Sequence, residues 1–550
     1  MRVTGLLILG VFWSSPVILL AQEPAESPRQ RALRELEGVL AETDNLADKL
    51  AYVKVRARAA NLLWLHDPDR ARTIFRELWK LVDEQTEALF DREAARTDLL
   101  KNLFPRDRNT ARALLEKALG GHKSEEAPYR AQIAGTDHNV RRLVKLSSEL
   151  VEQDPAMAAA LLERSLSVSV SPAALLTLFR LREQDPSLAD YIVARTLEVL
   201  RMRPTVIALP GVYVLADYVF PSMPSFGKPG TRSPDISLRV QYVSTAYEIL
   251  QRSLAESEST LQREERYTEK DLHFRRVYQG QVAALLSALA PRYLPERAQE
   301  LKTRAATLAA DLPPETARLL RFTLARISGS VRESEDLEMV ISVALARGDV
   351  DKARRALEKL EDENTKKAFA QSIANVEFRA HLAKSNLAEA LMAARRVEDP
   401  NLRGSLYAQV ARAAHRKGEV NLSRMILIEA RAALSTSEPN GVRVRTLLSL
   451  ASEASAISAS EAVQLLWDAV SALNALKAMS RADATLDSLA KINDPRSFSE
   501  ATELWRAFSS VGRVDLEGAL WTAHQIRDEV VRLVARLAAC QEWLAEAGEP

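Results

Sequence analysis

The sequence carries seven histidines: His66, His122, His138, His273, His381, His415 and His524. No two of them stand three to five residues apart and no H-E-x-x-H occurs, so local spacing supports no zinc site. A site assembled from residues distant in the chain stays open. Phe226-Gly227-Lys228-Pro229-Gly230-Thr231 has the residue types of a phosphate loop, but it lacks the order that loop needs and no strand-like run precedes it. No G-x-S-x-G elbow is present. Carboxylates gather on charged helix faces, as at Glu361-Asp362-Glu363, where a solvated surface accounts for them. The single cysteine, Cys540, sits among Leu537, Ala538, Ala539 and Trp543 and reads as a small buried hydrophobe. With one cysteine no intramolecular disulfide forms. The residues therefore point to no catalytic group, no metal and no cofactor.

Two sets of residues suit binding instead. Tyr213, Tyr218, Phe220 and Phe226 gather around a Pro-rich stretch, with Asp217 among them. As an exposed rim they would offer large apolar area at low entropic cost to a partner; the other reading of Tyr213 and Tyr218 is helix packing. Arg379, Arg412 and Arg416 lie on helix-patterned segments and could read acidic groups of a partner, or could be solvated surface charges.

These residues must be held by helices. Ala, Leu, Arg and Glu dominate the 550 residues, and only 18 are Gly. Charge is balanced, with 75 basic and 74 acidic residues for a net +1, which argues against a nucleic-acid partner. Met1 to Ala21 has the form of a secretory signal: Arg2, an apolar core broken by Pro16, and a small residue before polar Gln22-Glu23-Pro24. An uncleaved anchor is the alternative. No later stretch approaches the roughly 18 apolar residues of a membrane span. The mature protein is expected outside the cytoplasm, periplasmic or extracellular, with residues 22–30 a disordered lead-in.

Along the chain, stripes recur. Val350, Ala353, Leu357 and Leu360 share a register with Leu387, Ala390, Ala394 and Val397, and again with Val420, Ser423, Leu427 and Ala430. Each stripe covers one helix face and follows another apolar segment, so the unit is a helical hairpin. Asp67-Pro68, Asp154-Pro155 and Asp185-Pro186 mark helix starts in the N-terminal half, Asp as N-cap and Pro in the first turn. Further starts are expected at Thr268 with Asp271, at Pro295 and at Pro313-Pro314. Capping boxes are expected at Ser330 with Glu333, Ser458 with Glu461, and Ser497 with Glu500. The organisation that follows is an N-terminal hairpin array over 31–202, a Pro-rich aromatic insertion over 203–237, a long-helix segment over 238–330 and a regular array over 331–550. Gly120 to Gly135 reads as a loop. A short helix over Val206–Phe220 would place Pro210 near its first turn. The last helix, Asp528–Ala545, is expected to cap the stack and face water.

Val410, Ala411, Ala414, Gly418, Ser423, Leu427 and Ala430 follow the order and spacing of a tetratricopeptide repeat, and Val340, Ala344, Gly348, Ala353, Leu357 and Leu360 follow it less fully. The chain thus resembles the tetratricopeptide (TPR-like) helical repeats. The resemblance implies an all-α solenoid of about a dozen antiparallel hairpins, wound as a superhelix that presents a partner-binding surface. The expected function is a non-catalytic scaffold or adaptor holding a protein or peptide partner in the cell envelope. The alternative is an α/α-toroid carbohydrate-active enzyme, a polysaccharide lyase or glycosidase, for which a closed ring with a deep acid-lined pocket would speak.

Overall fold

The computed structural model describes residues 26–85, 91–120, 138–220, 234–256, 268–310, 312, 317–318, 337–346, 348–435, 438–476 and 502–545. Among them every regular element is helical, twenty-four α-helices and one 3-10 turn at Pro295–Arg297. After α1 (Pro28–Thr43), eleven hairpins follow in chain order. They are α2 (Lys49–Leu63) with α3 (Pro68–Glu84), α4 (Arg92–Leu103) with α5 (Arg108–Gly120), and α6 (His138–Leu150) with α7 (Pro155–Leu166). Next come α8 (Pro172–Gln184) with α9 (Pro186–Met202), α10 (Thr205–Val219) with α11 (Ile236–Ala255), and α12 (Glu269–Tyr293) with α13 (Ala298–Ala310). The C-terminal part adds α14 (Leu337–Ala346) with α15 (Val350–Glu358), α16 (Glu363–Ala383) with α17 (Leu387–Arg395), and α18 (Pro400–Arg416) with α19 (Val420–Ser435). The last two are α20 (Gly441–Ala454) with α21 (Ala459–Ala475) and α22 (Thr502–Val514) with α23 (Leu516–His524), followed by α24 (Glu529–Ala545). The fold is an all-α solenoid.

The first helix of each hairpin packs on the first helix of the next, from α2 to α12 and again from α14 to α24; the step from α13 to α14 runs through residues outside the described set. Second helices pack closely on one another at fewer steps, such as α7 on α9, α9 on α11 and α21 on α23. The first-helix row is therefore the tighter one and lies on the concave side. The sequence shows why. In α2 the buried residues include Val53, Val55, Ala57 and Ala59, a spacing that turns to opposite sides of a helix and suits burial between two neighbours. In α3 they are Ala71, Ile74, Phe75, Leu78, Trp79 and Val82, one stripe for one buried face.

Local signals set the ends of these helices. Asp67, Asp154 and Asp185 each accept a bond from the first turn of the helix they precede, and Pro occupies that turn. Asp107, Asp349 and Asp515 do the same without Pro. Thr268 and Asp271 form a full capping box. At Ser458 the box is half made: its side chain accepts from the Glu461 amide, but the Glu461 carboxylate bonds to Arg424 instead. Gly348 (φ 73°) and Gly418 (φ 80°) close α14 and α18 in the left-handed conformation, and Ser385 (φ 58°) takes the same slot after α16. In all three the next residue's amide reaches back to Ala344, Ala414 and His381.

The three repeated stripes face inward to different depths. Leu387, Ala390, Ala394 and Val397 are all buried, as are Ser423, Leu427 and Ala430, but Val420, the first residue of its helix, is 43% exposed. In the first stripe Ala353 is buried, and Val350, Leu357 and Leu360 are half-buried. Pro210 also departs from expectation: it lies inside α10 rather than near its start. Burial of Ile207, Ala208, Leu209, Gly211 and Val212 around it holds the helix through the missing donor. Residues 1–25, 121–137 and 221–233, Pro313-Pro314, and the expected boxes at Ser330 and Ser497 lie outside the described residues, and with them the expected signal segment and the expected Gly120–Gly135 loop except Gly120, which ends α5.

The largest correction is at the end of the chain. α24 does not cap the stack towards water. Val531, Leu533, Val534, Ala535, Leu537, Ala538 and Ala539 are all buried, because α24 packs on α22, α1 and α2. α1 sits on α24 as a second helix sits on its own first helix, and on α2 as a second helix sits on the next hairpin. A twelfth hairpin is thus built from the two ends of the chain, and the ends of the solenoid meet. The join is specific. Arg536, 4% exposed, donates to Glu35 and to both Glu42 oxygens at 2.7 Å. His66 Nε2 lies 3.0 Å from the Leu544 carbonyl, and Arg31 pairs with Glu517 at 3.4 Å.

Candidate binding face and seam pocket

The concave row presents polar side chains that reach from one first helix to the next. Lys54, Arg58 and Asn61 on α2 are half-buried and one helical face apart. Arg58 faces Asp98 on α4 at 3.7 Å. Lys101 on α4 binds Glu149 on α6 at 2.7 Å. Arg180 on α8 donates to the Ser148 hydroxyl at 2.7 Å and to Glu152 at 3.3 Å. Farther on, Arg412 on α18 binds Glu453 on α20 at 2.6 Å.

Where the ends meet, this face deepens into a pocket of about 370 Å³. From the N-terminal side come Arg58, Asn61, Lys101, Asn102, Arg106 and Gln153; from the C-terminal side come Thr502, Trp505, Gln541 and Leu544. Asn61 Nδ2 donates to Asn102 Oδ1 at 3.4 Å, and Arg106 Nε donates to Asn61 Oδ1 at 2.7 Å. The Trp505 indole N–H donates to Gln541, and the Arg58 guanidinium lies 6.0 Å from a Trp505 ring centre. Gln153 Oε1 is buried and accepts no bond from the described residues. Burial lowers the pKa of Arg106. None of the described residues lining this pocket is acidic. Two other grooves differ: one of about 400 Å³ between α3 and α5 includes Asp83, Glu84 and Asp107, and one of about 480 Å³ by α16 includes Glu358, Glu377, Glu398 and Asp399.

The residues singled out from sequence fall in different places. Tyr218 and Phe220 belong to the core rather than to an exposed rim. Tyr218 is fully buried, donates to Asp190 at 2.6 Å and lies under the Arg182 guanidinium. Phe220 packs edge-on against Tyr242 and Tyr293. Tyr213 is half-buried and edge-on to Tyr278 at 5.9 Å. Phe226 lies outside the described residues. Arg379 on α16 and Arg416 on α18 are exposed, and Arg412 is held by Glu453. None of these residues lines the seam pocket. Its own residues were not singled out, although one signal was present. Arg106 and Gln153, like His66, stand directly before an N-cap Asp, so the turn that starts each second helix carries them to one edge of the array.

Cys540 is buried, and burial pushes its thiol up to about 12. No described helix is long and apolar enough to cross a membrane.

No known family matches the chain, and no curated protein does. Among solved structures it is similar to a circular tandem repeat protein with novel repeat topology and enhanced subunit contact surfaces. The identity is 13%, with 94% of this chain and 96% of that chain covered, and the TM-score is 0.15. At that score no argument rests on the likeness.

Proposed function

We propose that the protein is an exported, non-catalytic scaffold of TPR-like repeats that holds an extended protein or peptide segment in the cell envelope. The supporting observation is the seam pocket and the face that leads to it. Side-chain amides and cations from successive first helices stand side by side, and a tryptophan forms one wall. Amides pair with the N–H and C=O groups of an extended main chain, and the cations suit acidic side chains. The meeting of the chain ends is the feature that a toroid enzyme would share. That reading also asks for acidic groups facing the pocket, and none of the described residues lining the seam pocket is acidic.

The test is site-specific photo-crosslinking in envelope extract, with mature protein carrying the photoreactive residue at Trp505, at Arg416 or at Met425 on the outer row. Protein crosslinks from the two concave positions and not from Met425 are expected. Crosslinks to no protein from any position would overturn the scaffold reading, and hydrolysis assays on envelope glycans would then decide the alternative. Export is tested separately, by fusing Met1 to Ala21 to a reporter that is active only outside the cytoplasm.

A further inference from the structure

We propose that the seam pocket is a recognition site for an acidic residue within a peptide, with Arg106 as the group that contacts its carboxylate. This deepens the scaffold reading and rests on it for the word peptide; the anion site itself does not.

Charge is the first argument. Arg58, Lys101 and Arg106 face a pocket with no carboxylate among its described lining residues. Arg58 and Lys101 already have acidic partners on neighbouring helices, Asp98 and Glu149. Among the described residues, the side-chain partner shown for Arg106 is the Asn61 amide oxygen, on its Nε. A half-buried guanidinium without a counter-charge is costly, and an incoming carboxylate would offset that cost with charge-assisted bonds.

The second argument is the need for a donor as well as an acceptor. Gln153 Oε1 is buried beside the same pocket with nothing to accept. A carboxylate alone brings acceptors only, and inorganic phosphate brings at most one or two P–OH donors close to its own charge. A peptide brings both, a carboxylate for Arg106 and main-chain N–H groups for the amide. A uronic-acid sugar also carries both kinds of group, but it usually stacks on an aromatic face, and one face of Trp505 is already taken by Arg58.

Position adds a consequence. The pocket is walled by α2 and α4 on one side and by α22 and α24 on the other. A ligand that touches both walls binds the joined state better than an opened one, so occupancy stabilises the seam by mass action.

The experiment is calorimetric titration of the full mature protein with four probes: a capped hexaglutamate peptide, a capped hexaglutamine peptide, inorganic phosphate and a short oligogalacturonate. Arg106→Gln is compared with Lys302→Gln, an exposed cation on the second helix α13, and Arg106→Lys guards against a folding defect. The expected result is hexaglutamate binding that Arg106→Gln weakens by about tenfold or more and Lys302→Gln by less than about twofold, as loss of one desolvated charge contact predicts. Hexaglutamine should bind more weakly than hexaglutamate, and hexaglutamate should slow amide exchange in α1 and α24. Equal losses from the two Gln variants would overturn the site, since a diffuse positive field would then explain the binding. Phosphate binding as tightly as the peptide, or oligogalacturonate binding more tightly, would keep an anion site but overturn the peptide assignment. Protein crosslinks at Trp505 without any hexaglutamate binding would sink this inference while leaving the scaffold reading in place.

Discussion

The regular array from α14 to α19 and the seam between α24 and α1 solve the same packing problem by different means. In the array each hairpin is covalently tied to the next, so small residues and a turn suffice. Ala353, Ala390, Ala394, Ser423 and Ala430 are buried, Ser423 Oγ donates across to the Ala411 carbonyl at 2.8 Å, and a left-handed residue ends each first helix. At the seam the chain gives no such help. The two ends must find each other against loop-closure entropy, and the join carries a buried ion pair of Arg536 and Glu35, with the more exposed Glu42 as a second acceptor, beside its apolar contacts. Such a cluster is a poor source of net stability but penalises any misaligned pairing, which would leave charges buried alone. Repetition makes the array tolerant and leaves the seam exacting.

That contrast can be broken at several points. The largest effect is expected next to the seam, at Gly512 on α22. A Cβ there would stand 2.2 Å from the Ala539 carbonyl oxygen of α24, and the Gly512 carbonyl accepts a bond from the Trp543 indole of α24 at 2.8 Å. Gly512→Ala should cost about 3 kcal/mol or more, read as a drop in urea midpoint, because backbone and not a flexible side chain must move. A loss under about 1 kcal/mol would mean that the two helices are less tightly apposed.

Arg536→Ala should cost about 3–5 kcal/mol, since buried Glu35 would lose its guanidinium partner and keep only the weaker contact with His524 Nε2 at 3.3 Å. Adding Glu35→Leu should recover much of that loss. A double-mutant cycle with no coupling would show that the cluster does not align the ends.

In the array the expected effects are smaller and have opposite signs. Gly418→Ala should cost about 1 kcal/mol, whereas Ser385→Gly should gain about 0.5–1 kcal/mol, because both positions have positive φ and only glycine adopts it freely. If Ser385→Gly also destabilises, the side chain has a role that the backbone does not reveal.

The smallest effect is a pH response at the seam. Burial is the main cause that lowers the His66 pKa in the folded state, against the opposing contact with the Leu544 carbonyl. The unfolded chain then takes up a proton first, so this contribution is present above the unfolded value of about 6.5 and is lost as pH falls through it towards the lower folded value. His66→Gln should flatten the dependence of urea stability between pH 7.5 and 5.5. A wild-type contribution that grows as pH falls would reverse the sign and count against the burial argument.

Most of the helices could be read from the chain because their determinants lie within a turn of one another. Asp67-Pro68 starts a helix, Gly418 ends one, and the spacing of Ala390 and Ala394 marks a buried face; each is a backbone or near-neighbour effect that needs no partner far away. The aromatic cluster shows where this fails. Tyr218 and Phe220 have the composition of an interface, but packing on Asp190, Arg182, Tyr242 and Tyr293 places them in the core. The seam pocket was less legible still, since Asn61 and Trp505 are ordinary residues until their helices meet.

What the sequence determined by itself is the helical repeat: periodicity, caps and turns are local, and they specify hairpins whatever lies beyond. Only the tertiary structure decided that the array closes on itself and where its pocket lies. Arg536 and Glu35 stand 501 positions apart. No periodic pattern links them, because their contact depends on the accumulated rotation of every hairpin between, a sum of small packing angles that no single stretch of the chain encodes.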